Sequence, residues 1–306
     1  MRSVESLQSA GAFPRLSKQF DSAAIAYREV RAAHWDGVAA WAETRKGLGG
    51  TYHRRLKEVF GFFCPPGLRV LEIGSGDGEL LASLRPSHGV GIDFSPEMIR
   101  RARALHPTLT FLQGDAHELE SNEEFDVIIL SDLINDLWDV QEVLSQVRKL
   151  CTPRTRIVIN FYGKLWEMPL SIVRRLGLAK PNLPQNWLTV EDVAGLLALA
   201  DFEVVRHRED VLCPLWVPLI ASFANRYLVR FWPFRVLALT HVLVARPVFA
   251  RAEMEITPPL VSVIVAARNE AGNIESIFVR TPELGGGTEM ILVEGGSSDN
   301  TYEEIQ

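Results

Sequence analysis

The chain has 306 residues, 47% of them hydrophobic and 23% charged, with a net charge of −6 and a pI near 5.7. These values exclude a low-complexity or disordered polymer. The acidic balance argues against nucleic acid as a partner, because phosphate binding calls for a basic face. The length suits one large domain, or one domain with a fragment of a second. Cys64, Cys151 and Cys213 are far apart and lack metal-ligand spacing, so reduced thiols and no metal site are expected. The opening Met-Arg-Ser-Val-Glu-Ser-Leu-Gln has no apolar h-region. No uncharged apolar run reaches the ~18 residues of a spanning helix. A cytoplasmic protein is therefore expected.

In chain order, residues 1–20 read as poorly ordered. Asp21 to Thr44 place Tyr27, Val30, Trp35, Val38 and Trp41 at helical intervals, which predicts one or two helices. Gly47-Leu-Gly-Gly50 interrupts them, and Tyr52 to Gly61 predicts another helix, ended near Pro65-Pro66-Gly67. Residues 1–66 are thus read as helices that precede a domain over 67–250.

That domain opens on Arg69-Val-Leu-Glu-Ile-Gly-Ser-Gly-Asp-Gly78, a short buried strand breaking into Gly74, Gly76 and Gly78. Glu79-Leu-Leu-Ala-Ser-Leu84 follows with helical spacing. Strand, glycine turn and helix form the first unit of a doubly wound α/β fold, whose ligands sit beyond the carboxyl ends of the strands. A dinucleotide fingerprint would need a third glycine at position 79, which is Glu79; this argues against a nicotinamide-dependent oxidoreductase. Gly89-Val-Gly-Ile-Asp93 is a second strand ending in a carboxylate, about 20 residues on, the spacing at which an acid reaches ribose hydroxyls. Ser95 at the N-cap, Pro96 at N1 and Glu97 in the first turn start the next helix. Phe111-Leu-Gln-Gly-Asp115-Ala116 closes a third strand, and Phe125 to Leu130 reads as a fourth.

The Glu72-x-Gly74-x-Gly76-x-Gly78 pattern resembles motif I of the class I S-adenosylmethionine (SAM)-dependent methyltransferases, in their small-molecule branch. Asp93-Phe94-Ser95-Pro-Glu-Met98 is similar to the family's D-x-S-x-x-M stretch, and Asp115 to its acid that contacts the adenine amino group. The resemblance implies a seven-stranded, mostly parallel Rossmann-like sheet with SAM as cofactor. It implies cofactor contacts from Glu72, Gly74, Ser75, Gly76, Gly78, Asp93, Phe94, Met98, Asp115, Ala116 and Ser131. Ser131 to Trp138 is the segment that in the family faces both SAM and acceptor. Here it carries Asp132, Asn135 and Asp136 where many relatives carry a His-containing motif, so the catalytic base stays open among Asp132, Asp136, His34 and His53. Tyr27, Trp35 and Tyr52 join them as candidates on helices that in this fold lie across the SAM site.

Asp139 to Leu150 is then helical, Thr155 to Phe161 a fifth strand, and Trp166 to Leu178 and Thr189 to Ala200 helices, the last with a capping start at Thr189-Val-Glu-Asp192. Phe202 to His207 is a sixth strand and Ala238 to Arg246 a seventh, which the family places antiparallel. Between them, 212–237 is aromatic and basic with no acid after Asp210. Two readings stay open: a hydrophobic cover admitting a lipid-linked acceptor at the inner membrane surface, with peripheral membrane contact, or helices packed on the core.

Residues 251–259 read as a linker. Leu260 to Glu270, Gly272 to Phe278 and Glu289 to Thr301 then form a partial βαβ unit of a second α/β domain over 260–306. Its Arg268-Asn269-Glu270 and Glu294 turns resemble the N-terminus of family 2 glycosyltransferases, with Gly295 in place of the second acid of the pair. Without the later D-x-D and base, this stretch cannot itself transfer a sugar. The resemblance implies a bifunctional methyltransferase–glycosyltransferase, with a sugar nucleotide as partner only where the full second domain is present. The expected methyl acceptor is a small molecule, glycan or glycolipid; the rival is a silent SAM-binding scaffold.

Overall fold

The computed structural model describes residues 14–44, 50–175, 183–214, 220–249 and 258–306. The chain divides into two compact units, Met1–Val248 and Phe249–Gln306.

The first unit carries a seven-stranded sheet: β1 Arg69–Ile73, β2 His88–Asp93, β3 Thr110–Gln113, β4 Val127–Ser131, β5 Arg156–Tyr162, β6 Phe202–Asp210 and β7 Thr240–Pro247. The spatial order is β3-β2-β1-β4-β5-β7-β6. All pairings are parallel except those of β7, which runs antiparallel to both β5 and β6. This is the doubly wound Rossmann-like sheet expected from the sequence. The order reverses between β1 and β4, so the crevice beyond those strand ends is the place for a ligand.

The central strands are apolar on both faces, as a parallel sheet covered on both sides requires. Leu71, Ile73, Ile128, Leu130, Ile157 and Ile159 bury one face against α5 (Val140–Lys149) and α7 (Val190–Leu199). Val140, Val143, Leu144 and Val147 supply the helix stripe at i, i+3, i+4, i+7. Val70, Val127, Ile129 and Val158 bury the other face against α2 (Gly50–Phe63), α3 (Glu79–Ser83) and α4 (Pro96–Leu105). The caps form where the sequence places them. Ser95 Oγ accepts from Met98 N, and Thr189 and Asp192 form a reciprocal capping box. The thiols of Cys64 and Cys151 are free and pushed up to about 12 by burial.

Several elements differ from expectation. A single helix, α1, runs Pro14–Thr44; it starts inside the stretch expected to be poorly ordered, with proline at its first turn, where the missing N–H costs nothing. The Gly47–Gly50 interruption lies mostly outside the described residues. The helix expected from Trp166 begins as a 3₁₀ turn, Lys164–Trp166, and continues as α6, Glu167–Arg175; its expected end lies outside the described residues. β6 runs three residues further than expected, to Asp210. There the Arg55 guanidinium binds the buried Asp210 carboxylate through both oxygens, at 2.6 and 3.0 Å. In the 212–237 segment, whose residues 215–219 lie outside the described set, α8 (Ile220–Arg226) and two 3₁₀ turns replace a pair of full helices.

In the second unit β8 (Val261–Ala267) and β9 (Thr288–Glu294) pair in parallel across α9 (Ile274–Arg280), with α10 (Thr301–Ile305) after β9. This is a single βαβ unit. Its outer sheet face leaves Ile264 and Val293 exposed.

Candidate functional site

The loop after β1 takes a shape only glycine holds without strain at Gly74, Gly76 and Gly78, with φ +74, +51 and +76, and the last two differ in their surroundings. Gly76 has φ +51 with open space where a Cβ would stand; Gly78 has φ +76, and its Cβ would lie 2.4 Å from Phe111 Cζ. The first is a bare cradle and the second a packed corner. Ser75 Oγ is buried against Gly91 without a protein partner.

Carboxylates gather at this end of the sheet. Glu72, at the end of β1, is 2% exposed and accepts from Leu81 N at 3.1 Å. Burial pushes its carboxyl well above the usual range, and the charges of Asp77, Asp93 and Asp132 push the same way. Asp93 ends β2, with Oδ2 accepting from Gly76 N and Oδ1 from Ser95 N, both at 2.9 Å. Burial raises its pKa, and the two backbone N–H groups oppose the rise. A carboxylate has about four lone-pair sites, so Asp93 retains acceptor capacity for two hydroxyls.

Asp115 follows β3 and is engaged from two sides: Arg28 Nε of α1 at 2.9 Å and His117 Nδ1 at 2.7 Å. Its carboxyl lies below the usual range because the bonds from His117 and the nearby Arg28 charge outweigh burial. Ala116 is half-buried beside it, and Phe94 is half-buried after β2. Met98, expected as a cofactor contact, is buried and packs with Val38 and Trp35 of α1. Gly74 faces Leu133, whose Cδ1 would stand 2.9 Å from an added Cβ.

At the end of β4 the half-buried Ser131 precedes Asp132, a non-glycine residue at φ +52. Asp132 Oδ1 accepts from Tyr52 Oη at 2.6 Å and from Asn160 Nδ2. Asn160 and Tyr52 are buried, and burial beside Asp132 drives the Tyr52 phenol well above its usual range. Tyr52 therefore stays protonated and donates. The other base candidates are placed differently. The Asp136 carboxylate accepts from Gln185 and lies 3.8 Å from Arg31, while its carbonyl accepts from Arg31 and Tyr27, so it pins α1 to the strand ends. It closes a 3₁₀ turn, and Asp139 caps α5. Asn135 is fully buried and ties Asn186 to Tyr162. His53 is exposed on α2 beside the Tyr52 ring, and His34 stacks edge-on with Trp35.

Three residues absent from the sequence reading complete the site. Asp36 of α1 accepts from Ser95 Oγ, and Arg28 reaches Asp115 and Glu118. With the contacts to Asp136, these place α1 across the ends of β2, β3 and β4. Asn160 had a legible signal: a lone amide inside the apolar run Arg156 to Tyr162. Among the described residues no three His, Cys, Asp or Glu side chains gather as a metal site.

The residues present suit SAM. Its sulfonium and ammonium carry positive charge, which clustered carboxylates favour, its ribose needs acceptors such as Asp93, and the space over Gly76 has no side chain in it. The strand order and this acidic, glycine-floored crevice define a methyltransferase of the Rossmann-like class. A family model described as a methyltransferase domain matches residues 65–192. The chain is 34% identical over 151 residues to a phosphatidylethanolamine N-methyltransferase of Cereibacter sphaeroides, covering 46% of this chain and 73% of that one. It is 29% identical over 150 residues to the uncharacterized methyltransferase sll0829 of Synechocystis, covering 46% and 69%. Its fold matches a complex of the Haloferax volcanii Trm112 methyltransferase activator with a methyltransferase, at a TM-score of 0.54 and 18% identity, over 70% of this chain and 98% of that one. The chain belongs to the SAM-dependent methyltransferases, with SAM as methyl donor.

Proposed function

We propose that this enzyme methylates a lipid or other small-molecule acceptor at the mouth formed by the ends of β4 and β5, with the donor held by Glu72, Gly76, Asp93 and Asp115. The observation that carries the donor site is Asp93, a buried carboxylate fixed by Gly76 N and Ser95 N beside the open space over Gly76. The lipid reading is supported by the phosphatidylethanolamine enzyme among the relatives.

Bound SAM would supply a methyl on a positively charged sulfur, with S-adenosylhomocysteine as the leaving group when the acceptor takes the methyl. The chain's part is to hold the acceptor close and collinear. α1 lies across the ends of β2, β3 and β4, and Tyr52 of α2 reaches Asp132 just past β4. Asp132, oriented by Tyr52 and Asn160, is the group placed to take a proton from a hydroxyl or ammonium acceptor. Tyr52 and Asn160 act through it as positioning residues.

Titration calorimetry of SAM and S-adenosylhomocysteine into wild type and Asp93→Ala tests the donor site. Micromolar binding is expected, weakened at least ~10-fold, or about 1.4 kcal/mol, by the substitution. Unchanged affinity in a folded variant would refute the assignment.

The second unit supports a finer reading, the opening βαβ of a family 2 glycosyltransferase-like domain. At the end of β9 the Glu294 carboxylate accepts from Gly296 N at 2.9 Å and from Ser297 N; Asn269, at φ +56 after β8, accepts from Ser298 N at 2.8 Å. The two strand-end turns are thereby built as one polar rim. A transcript that continues into sequence unrelated to glycosyltransferases would count against it.

A further inference from the structure

The segment that brings the chain to β7 has an unusual surface. Residues 231–237, Phe-Trp-Pro-Phe-Arg-Val-Leu, are all exposed, Trp232 at 80% and Phe231 at 63%. They do not belong to a loose loop. Ala221, Ala224 and Val229 just before them are buried, Asn225 clasps Cys213 through both backbone groups at 2.7 and 2.8 Å, and Arg235 N and Val236 N donate to the Phe231 and Pro233 carbonyls. The fold holds this segment firmly and still leaves its aromatic side chains in water, which is costly unless they have a partner.

A second apolar strip adjoins it. Leu165, Met168 and Ile172 lie on one helical face and are exposed, Met168 at 74%. The two strips are tied together where Trp166 Nε1 donates to the Leu237 carbonyl at 2.9 Å. Gly163 N, just past β5, donates to the Leu239 carbonyl at 2.7 Å, so both strips flank the end of β5. That is the mouth of the acceptor site proposed above.

The charge pattern narrows the partner. From 211 to 252 the sequence has no Asp or Glu, while Arg226, Arg230 and Arg235 stand among the aromatic residues. All three arginines are exposed; Arg235 also reaches Glu209 at 3.2 Å. Aromatic and aliphatic side chains with arginines at their margin match the boundary between acyl chains and anionic headgroups. No helix among the described residues is long and apolar enough to cross a membrane, so contact through this platform would be peripheral.

We infer that the platform formed by 231–237 and the Leu165–Ile172 face docks the enzyme on an anionic lipid bilayer, with the mouth of the acceptor site turned to the membrane. The inference rests on the reading of that mouth as the acceptor site, and it specifies the acceptor's source as the bilayer itself.

The test uses the full chain with vesicles of phosphatidylcholine, with and without phosphatidylglycerol, in a sedimentation assay. Wild type is expected to sediment with the anionic vesicles and to be released by salt, which screens the arginines. Trp232→Glu and Met168→Glu should each weaken sedimentation ~10-fold or more while SAM titrations match wild type. Intact SAM binding shows that each variant is folded and keeps the docking result separate from the donor-site reading. Wild type that ignores anionic vesicles, or variants that bind them as wild type does, would overturn the inference. So would a dimer in light scattering that Trp232→Glu dissociates without any vesicle binding, since the face would then belong to a second copy of the chain.

Discussion

Gly76 and Gly78 share a backbone conformation and differ in what stands around them, so alanine at each position separates binding from packing. Gly76→Ala puts a Cβ into open space at φ +51. Its cost to folding is the left-handed backbone alone, about 1–2 kcal/mol. Gly78→Ala carries the same backbone cost and adds a Cβ 2.4 Å from the Phe111 ring, which is 2% exposed and boxed in by Gly91. Overpacking of that kind costs about 1–3 kcal/mol more, for a total of roughly 2–5 kcal/mol. In a unit this size each kcal/mol lowers Tm by about 2–4 °C. Gly76→Ala should therefore melt about 2–8 °C below wild type, and Gly78→Ala lower still. SAM titration should invert the order of damage: Gly76→Ala loses most of its affinity, because the methyl group fills the cradle, while folded Gly78→Ala retains more. Wild-type SAM affinity in Gly76→Ala would refute the cradle, and a Gly78→Ala protein as stable as Gly76→Ala would refute the packing argument.

Tyr52→Phe removes the donor to Asp132 inside a buried network; it should cost about 1–3 kcal/mol in urea unfolding and move the pH profile of methyl transfer, a shift that loss of packing alone would not produce. Arg28→Ala breaks a half-exposed pair with Asp115; it should cost at most ~1 kcal/mol yet speed SAM association in stopped flow, and slower association would count against α1 as a cover over that end of the site. His241, whose pKa burial and the nearby His207 lower to about 4, is left neutral in the folded state while the unfolded chain takes up a proton below pH ~6.5. Stability should fall as pH drops from ~6.5 towards 4, by up to about 2 kcal/mol at pH 5; His241→Gln should flatten that slope, and an unchanged slope would refute the assignment.

The doubly wound core was legible because its signals are local: five-residue apolar strands, a glycine turn, a serine N-cap before proline. The carboxylates at strand ends were legible for the same reason, since a strand's last residue is also its position in space. What escaped was set by long-range contact. Arg28 and Asp36 look like solvated positions on an alanine-rich helix, and nothing local shows that α1 folds over the sheet and sets them against Asp115 and Ser95. Asp136 shows the converse. It sits in the right segment, yet its carboxylate turns to Arg31 and Gln185. Met98 matched a motif, and its packing against Val38 and Trp35 of α1 was not legible beside it.

The electrostatics of the crevice give the site its direction. At the strand ends burial raises the pKa of Glu72, and the charges of Asp77, Asp93 and Asp132 push it the same way; Asp77 also has Arg101 at 3.5 Å. Burial and these neighbours hold Glu72 towards its neutral form, whereas in the unfolded chain it ionises above pH ~4.5. The folded state then binds more protons than the unfolded one, so this group subtracts stability as pH rises through 4.5. Glu72→Gln cannot ionise in either state, and its stability relative to wild type should therefore grow with pH above that point. A positively charged donor beside Glu72 favours the carboxylate, so SAM binding to wild type should release a proton; calorimetry in two buffers of different ionisation enthalpy reads that release directly. S-adenosylhomocysteine lacks the sulfonium charge and should release less, and Glu72→Gln should release less with either ligand. Equal proton release from wild type and Glu72→Gln would show that the buried carboxyl does not sense the donor's charge, and the account of this crevice as a cation site would fail there.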